Sequence, residues 1–185
     1  MKHRLIKTEI SYTGKQLRSN FAYTHFGLVG DSIIAFCGKC DVAQEKMVDL
    51  EDLKAGKQIY SESMLHFIIE HYDTDLEKAV LRQLLFTNII KDLMNDIKSG
   101  APIIRIGTDL YEGDAKLSIS IATVTPISSL IHFGINITSI NTPVKTKGLK
   151  DYNIGPYKFA DSVMDIYKKE QDKIYTARCK VRWTE

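Results

Sequence analysis

The chain is 185 residues long with 44% apolar and 26% charged residues, 11 Gly and 4 Pro, which fits one compact globular domain over residues 1–185 and excludes a disordered or collagen-like chain. Twenty-five Lys and Arg stand against 23 Asp and Glu, a formal charge of +2, so the composition argues against a general electrostatic grip on nucleic acid or on an anionic membrane. No apolar run reaches the length of a membrane span, the start MKHRLIKTEIS has no signal-type apolar core, and three cysteines cannot all pair within one chain. These features point to a cytoplasmic protein that does not engage a membrane, and they leave room for a homo-oligomer.

In chain order, Lys2 to Ser11 reads as a first strand, ended by the turn-like Tyr12-Thr13-Gly14-Lys15. Phe21–Val29 and Ser32–Phe36 are aromatic and β-branched around Gly30-Asp31, which predicts a hairpin whose second arm stops at Gly38. Lys39 to Ser61 is mixed and carries the acidic cluster Asp49-Leu50-Glu51-Asp52, a loop on its composition. Met64 to His71 is a short apolar run, better suited to a buried strand than to an isolated helix.

From Asp75 the period changes. Leu76, Val80, Leu84, Ile89, Leu93 and Ile97 make a helical stripe, with Asp73 or Thr74 to cap its start and Gly100 before Pro102 to close it. Three strand candidates follow: Pro102–Gly107, Lys116–Thr123 and Ser129–Thr138, the first two joined through the turn Glu112-Gly113-Asp114. Pro156 suits the start of a second amphipathic helix running toward Arg178. Strands, a long helix, more strands and a closing helix predict an α+β fold, a mostly antiparallel sheet with helices packed on one side.

Alternation puts Leu117, Ile119 and Ile121 on one face of their strand and Ser118 and Ser120 on the other. It also lines up His132, Gly134 and Asn136 on the next strand. If those two polar faces coincide, the surface offers the Lys116 ammonium, two hydroxyls, an imidazole, an amide and a glycine gap where a ligand can approach backbone. A lysine at the mouth of such a groove suits a carboxylate or a phosphate. Asp49, Glu51 and Asp52 are candidate magnesium ligands, though an acidic run also serves as a solvated face or helix start. Cys37-Gly38-Lys39-Cys40 is a C-x-x-C without the second ligand pair of a zinc site or the helix start of a redox site, so a buried or turn cysteine pair is its simpler account. His66 and His71 fall on opposite faces of a strand and make poor joint ligands.

The run Thr108-Asp109-Leu110-Tyr111, then Gly113-Asp114-Ala115-Lys116-Leu117-Ser118, then His132-Phe133-Gly134-Ile135-Asn136 resembles the central motif of biotin and lipoate protein ligases. Those enzymes read Asn-Asp-Leu, a short turn, Gly-x-Lys-(Ile/Leu)-(Ser/Ala), and a strand with His-x-Gly or Gly-x-Asn. The resemblance extends over roughly Asp31 to Thr138, and the whole chain also resembles a mainly archaeal family known as a domain of unknown function.

The ligase resemblance implies the fold shared with class II aminoacyl-tRNA synthetase catalytic domains. It also implies a cofactor-ligase-like acyl transferase or adenylating activity on a small carboxylic acid, ATP and magnesium as cofactors, and an acceptor protein as partner. It assigns Lys116 to neutralising the carboxylate and adenylate phosphate, and Asp109, Ser118, His132, Gly134 and Asn136 to the ligand pocket. Neither the Gly-Arg-Gly-Arg loop of biotin ligases nor the Arg-Arg-x-Ser-Gly-Gly-Gly loop of lipoate ligases is present, and the corresponding stretch begins with the acidic Val48–Asp52. The second reading is therefore a non-catalytic module that holds a carboxylate or nucleotide in the same groove.

Overall fold

The computed structural model describes residues 1–57 and 59–184. Five strands form the main sheet: β1 (Lys2–Ile6), β2 (Ser32–Val42), β3 (Ile59–His71), and further along the chain β7 (Ser118–Val124) and β8 (Ser129–Asn136). Their order is β1-β2-β3-β8-β7, with β1 parallel to β2 and every other pair antiparallel. A second, three-stranded sheet comprises β4 (Ile104–Ile106), β5 (Asp109–Glu112) and β6 (Ala115–Lys116). Two long helices, α3 (Leu76–Ile97) and α4 (Pro156–Cys179), cover one face of the main sheet; two short ones are α1 (Phe21–Phe26) and α2 (Leu50–Lys54). The chain is thus α+β, with an antiparallel-rich sheet carrying its long helices on one side. No described helix is long and apolar enough to cross a membrane.

Period-2 alternation divides the core in two. Ile33, Ala35 and Cys37 of β2, Leu65, Phe67 and Ile69 of β3 and Ile131, Phe133 and Ile135 of β8 meet Phe86, Ile90 and Met94 of α3 and Phe159, Val163 and Tyr167 of α4. The opposite face presents Ile34, Phe36, Met64 and Ile68, against which Tyr12, Phe21, Ala22 and Leu28 pack. Burial on both faces explains why the central strands read as nearly continuous apolar runs. It also separates the two cysteines of the C-x-x-C. Cys37 lies in the helix-side core and Cys40 in the other, both as free thiols within or beside β2.

The expected hairpin at Phe21–Phe36 is not formed. Phe21–Phe26 is a single helical turn and a half between two left-handed residues, Asn20 (φ 62°) and Gly27 (φ 69°). Six residues cannot hold a helix by propensity. This one is fixed by Phe21 and Ala22 buried on the sheet and by the Glu70 carboxylate, which accepts the Asn20 N–H at 2.8 Å. The sequence strand at Pro102–Gly107 shortens to Ile104–Ile106 and joins the small sheet, with all three residues exposed. Asp75, rather than Asp73 or Thr74, caps α3 by accepting the Lys78 N–H at 3.0 Å. Asp73 instead pairs with Lys78 and Arg82.

Candidate functional site

The face of the sheet away from α3 and α4 is the floor of a cavity of about 530 Å³. Met64, Ile119, Ile121, His132 and Asn136 rise from the strands. Tyr12 and the α2 segment close one side, the β4–β6 sheet another, and residues 142–146 a third. Asp49 starts α2 by accepting the N–H groups of Glu51 and Asp52 at 2.8 and 3.1 Å, an ordinary N-cap.

Lys116 is set by backbone on both sides. It pairs with Tyr111 across the β5–β6 turn, whose Gly113 takes φ 59°. Its N–H donates to Lys145 O at 3.0 Å, and its carbonyl accepts the Lys147 N–H at 3.2 Å. Its ammonium lies 2.6 Å from Asp109 Oδ2, and both side chains line the cavity. Burial raises the Asp109 carboxyl above its ordinary value even though Lys116 beside it pulls the other way. Asp109 Oδ1 is buried and has no hydrogen-bond partner among the described residues, as does Ser61 Oγ, also on the cavity wall. Four lysines (46, 57, 116 and 145) and four aspartates (49, 52, 109 and 114) line the space. Three of the lysines are paired with those aspartates: Lys57 with Asp52 at 2.7 Å, Lys116 with Asp109, and Lys145 with Asp114 at 2.8 Å.

A histidine pair lies under the apolar part of the floor. His66 Nε2 donates to the Gly38 carbonyl at 3.3 Å, and His132 Nε2 sits 3.1 Å from His66 Nδ1. Tyr12 stacks on the His132 ring, with centroids 3.7 Å apart and planes 11° from parallel. Burial pushes His66 down to about 3 and His132 well below the usual imidazole value, the latter also through His66 beside it. Both rings are therefore neutral at neutral pH.

Of the residues singled out in the sequence, Asp49, Asp52, Asp109, Lys116, Ser118, Ser120, His132 and Asn136 all line this cavity. Ser118 and Ser120 do not share the face of His132. They pair with Ile135 and Phe133, whose side chains enter the helix-side core. The Ser118 hydroxyl accepts the Leu110 N–H at 2.9 Å, while Ser120 donates to His132 O at 3.1 Å and accepts from Gln83 Nε2 on α3 at 2.8 Å. The cause is a break at Leu117, which leaves the ladder to accept the Asn136 N–H and points into the core with Leu110. Such an interruption inverts the alternation after it.

Gly134 offers no approach to backbone. A Cβ there would meet Met64 Cε at 3.0 Å and Ile119 Cγ1 at 3.3 Å, so these side chains occupy the gap. The acidic cluster is not assembled as a cation site either. Asp49 caps α2, Asp52 holds Lys57, Glu51 is exposed, and among the described residues no three His, Cys, Asp or Glu side chains group as metal ligands. His66 and His71 do point to opposite faces, the latter meeting Asp31 and Tyr167. Tyr12, Ser61 and residues 142–146 belong to the cavity through non-local pairings, such as the bridge of Tyr12 with Cys40, that leave no local pattern to read.

Comparison with solved structures finds a protein of unknown function from Pyrococcus horikoshi at TM-score 0.91 and 36% identity, covering 99% of this chain and all of the other. The biotin protein ligase of Aquifex aeolicus superposes at TM-score 0.61 and 12% identity, over 94% of this chain and 70% of the ligase. A lipoate-protein ligase A solved with ATP superposes at 0.55 and 17% identity, over 92% and 85%. At such identities the likeness is one of fold. Uncharacterized protein MJ0805 of Methanocaldococcus jannaschii is 39% identical over 179 residues, 91% of this chain and 79% of the relative. A family model described as "Domain of unknown function (DUF366)" matches residues 1–182, and the chain belongs to that family.

Proposed function

We propose that the chain binds a small carboxylic acid in the cavity over the open sheet face, with the Lys116 ammonium meeting the carboxylate and the floor of Met64, Ile119 and Ile121 taking the apolar part. The observation that carries this reading is the Lys116–Asp109 pair held by backbone on two sides beside an apolar floor. An ammonium has three N–H donors, and Asp109 takes one. Asn136, on the strand that meets Leu117, lines the wall next to it. The ligases that share the fold are named for biotin and lipoate, both small carboxylic acids.

ATP is the cofactor the fold family implies, and the residues present do not fit it. Four lysines against four aspartates give the cavity no formal surplus of positive charge, and the cations are mostly committed to neighbours. A triphosphate beside Asp49 and Asp52 meets repulsion, whereas a single carboxylate needs only to share Lys116. This balance favours an acid over a nucleotide as the ligand.

Acyl transfer is the second reading, favoured by Lys116 standing in a ligase-like turn where it would stabilise charge developing on an acyl group. Thermal denaturation in the presence of octanoate, lipoate, biotin and amino acids, run beside ATP–pyrophosphate exchange with the same panel, separates the two. The expected result is stabilisation by an acid, about 2.7 kcal/mol at a hundredfold excess over Kd, lost in Lys116→Ala and unaccompanied by exchange. Exchange dependent on Lys116 establishes adenylation of the acid, the activating half of the second reading, and overturns the argument against ATP. No stabilisation by any acid refutes the first.

A further inference from the structure

Resting on the reading of the cavity as a carboxylic-acid site, we infer that His132 selects acids that carry a neutral hydrogen-bond donor, an N–H or O–H group at a distance from the carboxylate, over plain alkyl acids. The inference starts from hydrogen-bond direction. A carbonyl only accepts, so the contact of His66 Nε2 with Gly38 O places a proton on that nitrogen. In a neutral ring the other nitrogen, Nδ1, is then a bare acceptor, and the 3.1 Å contact requires His132 Nε2 to be the donor. His132 Nδ1 is in turn left as an acceptor, without a hydrogen-bond partner among the described residues, on a side chain that is 2% exposed and lines the cavity. The stacked Tyr12 ring holds the imidazole in plane.

An acceptor on the cavity lining that no described protein group meets is open to a donor brought by a ligand. Asp109 Oδ1 is a further unpartnered acceptor lining the cavity, beside Lys116 at its other end. An alkyl acid supplies nothing to either. The requirement is for a neutral donor, because the groups against His132 are Tyr12, His66 and its cross-strand partners Ile68 and Ile121, none of which supplies a counter-charge for a cation. The Asn136 N–H donates to the Leu117 carbonyl, next to Lys116, and His132 lies four residues along β8. At roughly 3.3 Å per residue, about 13 Å of strand separates the two levels, so carboxylate and donor belong at opposite ends of the ligand.

The test uses the full chain and isothermal titration with dicarboxylic monoamides of one chain length. One bears a secondary N-methylamide and the other a tertiary N,N-dimethylamide. The ω-hydroxy acid and the plain acid of matched length complete the set. The secondary amide or the hydroxy acid is expected to bind at least tenfold tighter than the tertiary amide and the plain acid, since a site built to accept a hydrogen bond rejects analogues lacking the donor. His132→Phe keeps the stacking and should bring all four within threefold. Should that variant not fold, the ¹⁵N resonance of His132 Nδ1 in the unaltered protein is the second readout, and it is expected to shift when the donor-bearing acid saturates the site. Equal affinities across the four acids, or an unmoved resonance at saturation, overturn the inference and leave acid binding standing. Absence of binding by every acid overturns both.

Discussion

Removing the Lys116 ammonium tests the electrostatic account of the cavity directly. In Lys116→Ala, Asp109 loses the contact at Oδ2 while Oδ1 already lacks a partner, so a mostly buried carboxylate is left with no hydrogen bond on either oxygen. Fully buried pairs broken in this way cost about 3–5 kcal/mol and exposed ones under about 1. Side chains 28% and 19% exposed lie between these limits, which gives about 2 kcal/mol at pH 7. For a chain of this length that is a fall in Tm of roughly 4–8 °C.

The pH dependence carries the diagnostic sign. The folded-state pKa of Asp109 is raised by burial, so its contribution to stability is fully present below the unfolded carboxylate value and is lost as pH rises through the folded one. Taking away Lys116 raises that folded value further, because the first cause, burial, then acts unopposed. The deficit of Lys116→Ala relative to the unaltered protein should therefore be largest near pH 7 and shrink as the pH falls and the carboxyl becomes neutral. Asp109→Asn added to Lys116→Ala should restore most of the lost stability, since a neutral amide needs no counter-cation. Urea denaturation of the unaltered protein, Lys116→Ala, Asp109→Asn and the double variant at pH 4.5, 6 and 7.5 measures all of this. A deficit independent of pH, together with losses that add in the double variant, refutes the view that Lys116 compensates a desolvated charge.

Gly38→Ala should be among the most damaging small substitutions outside the core, because the new Cβ would lie 2.1 Å from Ile10 O, a backbone atom that cannot step aside alone. A loss of about 3 kcal/mol or more is expected. The Tyr12 fluorescence environment should change with it, since Tyr12 is docked through Lys39 O next to the substituted position; an unaltered melting curve contradicts the packing described. Asp31 reports the other end of the sheet. Burial opposes its charge, but hydrogen bonds from His71 and the Tyr72 N–H outweigh burial and hold its carboxyl at about 2. A depressed folded value gives stability that is present above the unfolded value and lost as pH falls toward 2. Asp31→Asn should consequently be destabilised relative to the unaltered protein at pH 6, with the difference closing in acid; a constant difference shows that charge is not what Asp31 contributes.

What the sequence could reveal follows the range of the interactions involved. The α3 stripe is a local 3.6-residue pattern with a local cap, and it was legible to within a residue at either end. β3 was legible over Met64–His71 as an apolar run buried on both faces, and β8 through its alternation, whereas the start of β3 at Ile59 and the end of β2 at Val42 fall in the mixed stretch read as a loop. α1 was not legible, since six aromatic-rich residues become helical only through Glu70, fifty residues away, and through a sheet face that local propensity does not contain. At the site, alternation correctly placed His132 and Asn136 on one side of β8, yet assigned Ser118 and Ser120 to the wrong partner face. Leu117 and Ser118 both turn toward the helix layer, so the even-numbered positions before and after that break point in opposite directions. A single irregular residue in a seven-residue pattern is invisible to periodicity, and it changes the chemistry of the pocket. Ser118 and Ser120 still line the cavity, but their hydroxyls bond Leu110 of the small sheet and Gln83 of α3, while Ile119 and Ile121 share the face of His132. The cavity that results is more apolar and poorer in donors than the sequence alone implies. Among its unpartnered groups, Asp109 Oδ1 and His132 Nδ1 only accept, while Ser61 Oγ can do either, so the chemistry demanded of a ligand shifts from accepting hydrogen bonds along the strand toward supplying one.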